Sequence, residues 1–95
     1  MPNEENSRPE TATIEVKVTI TDGPGSVKVQ TEPVLEFHQS GSRNIALKKG
    51  PQVISVSGVP SPGATIEVDF QQNGSSLSKE TFEEAGVKLF SFNVS

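Results

Sequence analysis

From Ala12 onward, hydrophobic and polar residues alternate. Ile14, Val16, Val18 and Ile20 are interleaved with Glu15, Lys17 and Thr19. A period of two predicts a strand with one buried face and one wet face. Asp22-Gly23-Pro24-Gly25 breaks the pattern, and Val27 and Val29 resume it against Lys28 and Gln30. Two strands separated by such a break read as a hairpin with a four-residue loop. Pro33 interrupts next, and Val34-Leu35-Glu36-Phe37 reads as a short edge strand. Residues 38–44 (HQSGSRN) read as a polar loop. Ile45 with Leu47, then Ile54 with Val56, predict two more short strands around Lys49-Gly50-Pro51-Gln52.

Val59-Pro60-Ser61-Pro62-Gly63 reads as a stiff exposed loop. Ile66, Val68 and Phe70 alternate with Glu67 and Asp69 and predict another strand. Residues 71–78 (QQNGSSLS) are rich in turn formers. Ser78 can cap a helical turn over residues 79–85, with Phe82 packed inward and Gly86 as its stop. Val87 to Val94 reads as a last strand of ambiguous phase, because Leu89, Phe90 and Phe92 cannot all share one face. Six to seven short strands with turn signals about every ten residues predict an all-β, antiparallel, immunoglobulin-like sandwich. Jelly-roll topology is the neighbouring possibility. No strand–helix–strand spacing supports a parallel sheet. Prolines near strand ends and charged side chains along the strands would protect the sheet edges.

Ala12-Thr13-Ile14-Glu15-Val16 recurs as Ala64-Thr65-Ile66-Glu67-Val68. The echo reads either as a duplicated half-domain or as coincidence among alternating strands, which draw on few residue types. Coincidence is the expectation.

Residues 1–11 differ from the rest. They carry two prolines, three glutamates and no large apolar residue after Met1, the composition of a flexible tail or linker. The sandwich domain is expected over residues 12–95. Glu4, Glu5 and Glu10 against Arg8 put −2 of the net −4 in this segment. The body is therefore only slightly acidic. It lacks the basic face and the aromatic stacking platforms of nucleic-acid binders, so no nucleic-acid partner is expected.

At 95 residues the chain holds one domain. Hydrophobic residues make up 32%, which predicts a small core. Trp, Tyr and Cys are absent. That removes disulfides, thiolate metal sites and cysteine nucleophiles. No apolar run approaches the ~18 residues of a membrane-spanning helix, so no transmembrane segment is expected.

Candidate chemistry is sparse. His38 is the single histidine, with Ser40 and Ser42 close in sequence. A general base needs an orienting acid and a nucleophile within reach, and twelve serines make such proximity cheap. A loop histidine is the simpler reading, and no catalytic residue is assigned. Glu67 and Asp69 share a strand face and could meet a cation if a loop carbonyl joined them. A solvated strand face is the simpler reading there, and no metal or other cofactor is expected. Gly23-Pro24-Gly25-Ser26 lacks the lysine and the helix of a phosphate loop. Asn73-Gly74-Ser75 and Asn93-Val94-Ser95 match the glycosylation sequon, but Asn73-Gly74 is better read as turn chemistry. Loops 38–44, 59–63 and 71–78 form the candidate binding surface, each polar and each explicable as an ordinary loop.

The run Asn44-Ile45-Ala46-Leu47-Lys48-Lys49-Gly50-Pro51-Gln52-Val53-Ile54-Ser55-Val56 resembles a pattern in carbohydrate-binding β-sandwich modules and related accessory domains of secreted bacterial proteins. There a hydrophobic strand, a Gly turn and a second strand follow one another. The resemblance implies a sandwich of extracytoplasmic origin. Those modules generally stack sugar rings on Trp or Tyr, which this chain lacks, so no binding residue is carried over. The expectation is a monomeric, non-enzymatic accessory or interaction module of an exported, surface-tethered protein, with an unknown protein or glycan as partner. The alternative is a glycan-binding module that uses polar loops.

Overall fold

The structure is a computed structural model and describes residues 10–95. It is all-β, with two antiparallel four-stranded sheets packed face to face. The eight strands are β1 (Thr11–Thr21), β2 (Gly25–Val29), β3 (Leu35–Phe37), β4 (Gly41–Lys48), β5 (Gly50–Pro60), β6 (Thr65–Gln72), β7 (Ser75–Phe82) and β8 (Gly86–Val94). The first sheet has the order β4-β1-β6-β7 and the second β3-β2-β5-β8.

Period-two alternation builds the core as expected. Ile14, Val16 and Val18 of β1, Ile54 and Val56 of β5 and Phe90 and Phe92 of β8 all lie within one buried cluster. Phe70 is fully buried. Its ring lies 5.0 Å from those of Phe90 and Phe92, which joins the two sheets. Phe82 is also buried.

Three expectations are corrected. The helical turn over 79–85 is absent; residues up to Phe82 extend β7, and a turn follows. Thr81 pairs with Glu67 and Lys79 with Asp69. A segment this short pays a nucleation cost that an isolated helix cannot recover, whereas an added strand gains a full ladder. The strand count is therefore eight. The Asp22-Gly23-Pro24-Gly25 break is not a hairpin loop, because β1 and β2 lie in different sheets. The Gly50 turn likewise carries the chain from β4 in one sheet to β5 in the other, with Gly50 at φ +108°. True hairpins join only β2 to β3 and β6 to β7. The latter turns at Asn73 (φ 54°) and Gly74 (φ 82°), as Asn-Gly chemistry predicts. Of the tail assigned to residues 1–11, residues 1–9 lie outside the described residues. Thr11 opens β1, and the Lys49 amide donates to the Glu10 carbonyl at 3.1 Å.

The topology repeats itself. Exchanging β1, β2, β3 and β4 for β5, β6, β7 and β8 converts the order of one sheet into that of the other. Along β1 with β4 and β5 with β8 the register gives the equivalent residues: Ile14 pairs with Ile45, and Ile54 with Phe90; Val16 pairs with Arg43, and Val56 with Lys88. The Ala-Thr-Ile-Glu-Val echo is no trace of this two-fold. Its copies sit on β1 and β6, which are antiparallel neighbours and not equivalents.

The C-terminal end is fastened by a side chain. The Gln72 amide nitrogen donates to the Ser95 carbonyl at 2.8 Å, and its oxygen accepts from the Ser95 amide at 3.0 Å. The pair imitates two rungs of a ladder. Gln72→Ala should cost about 1–3 kcal/mol and speed amide exchange at the end of β8, read by hydrogen-exchange NMR. Unchanged exchange at Val94 and Ser95 would show that the clamp holds nothing.

Candidate functional site

The two outer faces differ in chemistry. On the first sheet, cross-strand register places Glu15, Lys17 and Thr19 of β1 beside Gln71, Asp69 and Glu67 of β6, with Ser42 and Asn44 of β4 on the other flank. Charge and hydroxyl groups cover it. Glu67 and Asp69 share this face as expected. Asp69 is nearly buried, and both of its oxygens are already engaged, by the Gln71 side chain at 2.7 Å and the Ser76 hydroxyl at 2.6 Å. Lys17 and Lys79 occupy the register positions on either side. Among the described residues, no three His, Asp or Glu side chains gather as a metal would require.

The second sheet carries aliphatic groups in water. Val53 and Val59 of β5 and Val87 and Leu89 of β8 are each more than half exposed, with Leu89 at 67%. Strand alternation explains why. Val53 adjoins Ile54, and Leu89 adjoins Phe90; within each pair only one side chain can face the core. In register, Ser91 lies opposite Val53, Leu89 opposite Ser55, and Val87 opposite Ser57. The aliphatic residues thus alternate diagonally with serines across two paired strands. No charged side chain interrupts β5 or β8 on this face. An exposed patch of this kind, on the order of a few hundred Å², marks an interaction surface more often than scattered single residues do.

Beyond Ser57 and Val59 the face continues onto β2 and β3, where a shallow depression of about 340 Å³ is lined by Ser26, Lys28, Glu36, His38, Ser57 and Val59. Glu36 lies between two basic groups, with Lys28 Nζ at 3.6 Å and His38 Nε2 at 3.8 Å. His38 is 76% exposed. Among the described residues no serine hydroxyl is hydrogen-bonded to it. Ser40, its sequence neighbour, is engaged elsewhere: its hydroxyl accepts from the Ile20 amide at 2.8 Å and donates to the Ile20 carbonyl at 3.3 Å.

The three loops expected to form a binding surface do not meet. Residues 41–44 are the start of β4, and 75–78 the start of β7. Val59 and Pro60 end β5. What remains is 38–40 and 61–64 at the end of the sandwich where β1 turns into β2, and the Asn73-Gly74 turn at the opposite end. The mistake has a physical source. Residues 41–44 are exposed throughout and residues 75–78 are polar apart from Leu77, so the starts of these two edge strands look like loops.

No protein-family model, curated protein or solved structure matches the chain. The functional reading therefore rests on the residues themselves.

Among the described residues no helix is long and apolar enough to cross a membrane.

Proposed function

We propose that this chain is a non-enzymatic interaction module, an immunoglobulin-like sandwich of an exported or surface-tethered bacterial protein, that docks another protein on the outer face of β5 and β8. The observation that carries the reading is the set of exposed aliphatic residues Val53, Val59, Val87 and Leu89 on one uncharged sheet face. The partner that fits is a folded protein surface, apolar and uncharged at its centre. A charged partner surface would lose solvation here and find nothing to pair with it. Lys28 and Glu36, at the border, already neutralise one another.

Size sets the strength of the contact. Nine residues of strand at ~3.4 Å and two strands at ~4.8 Å spacing give a face of roughly 300 Å², less than half of what each partner gives up in a standard interface. The contact belongs to the weak, transient class. The absence of cysteine and a chain rich in Ser, Thr and Gly support the exported setting. The glycan reading loses its combined loop surface, because one of the three loops lies at the far end of the molecule.

The test is site-specific photo-crosslinking in the cells that make the protein. A photoreactive residue at Leu89 should give a discrete protein adduct, and the same residue at Glu67, on the opposite face, should give none. Equal adducts from both positions would overturn the reading. So would adducts confined to residues 38–40 and 61–64, where a sugar or another loop ligand would sit.

A further inference from the structure

A sandwich of two open sheets has four edge strands, here β4 and β7 in one sheet and β3 and β8 in the other. An open edge presents unpaired amides and carbonyls, and any extended chain can add to it. β3 is only three residues long, which leaves little to pair with. The other three are eight or nine residues long.

Each long edge carries a charge on its inward side. In β8 the buried residues are Phe90, Phe92 and Val94, so Lys88 has the same inward phase. It lies opposite Val56, which is fully buried. Its ammonium sits 5.6 Å from the centre of the Phe82 ring, across the gap between the sheets. In β4 the half-buried residues are Ile45 and Leu47, so Arg43 is inward in phase. It lies opposite Val16, also fully buried. Its guanidinium carbon is 5.8 Å from the centre of the Phe37 ring. Glu80 occupies the inward phase in β7, opposite Val68.

Arg43 and Lys88 are equivalent under the two-fold of the topology, and each lies over a phenylalanine, Phe37 or Phe82. The same arrangement is thus built twice: a cation on an edge strand, opposite a buried valine, over a phenylalanine of the facing sheet. An apolar residue would satisfy the core at either position. A charge satisfies it less well and does something else. If another strand added to β4 or β8, its side chains would crowd the inward cation and strip it of water, a cost that an aliphatic residue would not impose.

We infer that Arg43 and Lys88 are edge guards that close the two open sides of the sandwich to strand addition, so that a partner or a second copy can meet this module only by a sheet face. The inference stands apart from the docking role of β5 and β8. It concerns what the edges refuse.

The experiment is sedimentation velocity over a concentration series, on the whole chain. Lys88→Val removes the guard and leaves an aliphatic edge; its midpoint of self-association should fall by about tenfold or more relative to the unsubstituted chain. Lys88→Glu loses the attraction to the Phe82 ring but keeps an inward charge, and it should remain monomeric. Arg43→Val repeats the test on the opposite side. A monomeric Lys88→Val would overturn the inference. Association of Lys88→Glu to the same extent would overturn it as well, because the closed edge would then depend on ring packing and not on charge. Failure of both valine variants to fold would do the same, by making the two cations core-stabilising groups.

Discussion

Phe70→Ala should lower the unfolding free energy by about 3–5 kcal/mol, the loss expected when a fully buried phenylalanine becomes a cavity. Urea unfolding at constant m-value measures it directly. The reason lies in how few large side chains the core has. With no Trp and no Tyr, the five phenylalanines supply its bulk, and three of them meet at one point. Phe70 comes from β6 in the first sheet, Phe90 and Phe92 from β8 in the second, with ring centroids 5.0 Å apart in both pairs. Removing Phe70 strips both partners at once. A domain of this size holds roughly 5–15 kcal/mol in total, so the loss is about a fifth of its stability or more. Phe70→Leu keeps most of the volume and should cost less than about 1.5 kcal/mol if the site repacks. A loss below 1 kcal/mol for the alanine variant would show that the sheets close over the gap and that the Phe cluster is not what joins them.

Gly58→Val should cost at least about 1–3 kcal/mol, by overpacking instead of by loss. A Cβ at Gly58 would stand 2.7 Å from Phe82 Cγ and 2.9 Å from its Cδ2. Space is the issue here and not backbone freedom, since Gly58 is not among the positive-φ glycines. The two-fold equivalent of Gly58 is Val18, so the topology itself tolerates a valine at this place in a strand. What forbids it is the position of the Phe82 ring. The coupling can be measured. Gly58→Ala, Phe82→Leu and the double variant form a cycle, and the double variant should be more stable than the sum of the single effects allows, by about 0.5–3 kcal/mol. Strict additivity would mean that the glycine serves some other neighbour.

Much of this fold could be read from alternation. β1 and β6 appear in the sequence almost at their true bounds, because each puts aliphatic residues on one side and charge on the other. The sheet crossings could not be read. Asp22-Gly23-Pro24-Gly25 and Lys49-Gly50-Pro51 stop a strand in either case, and nothing local says whether the chain then returns beside the strand it left or passes to the other sheet. That choice is made by which strands bury which faces, and the partners are distant in sequence. β7 was hidden for a different reason. Ser78 as a cap and Gly86 as a stop satisfy the rules of a helical turn, while the ladder to β6 that decides the matter involves residues 66–72. The exposed aliphatic face left a signal in plain view. Val53 beside Ile54 and Leu89 beside Phe90 cannot both be inside a strand. Their outward members could be inferred in principle, but that they adjoin across β5 and β8 depends on the pairing.

The repeat in the topology also bears on how the molecule can come apart. In the first sheet the central pair is β1 with β6, and in the second it is β2 with β5. Each of these pairs joins a strand from the first half of the chain to one from the second. Neither half owns the middle of either sheet. The two halves are therefore interlocked, not stacked like beads. Loosening one takes away the innermost ladder of both sheets. Such a molecule has no stable half-folded form to fall back on, and it should lose its order in one concerted step or keep it.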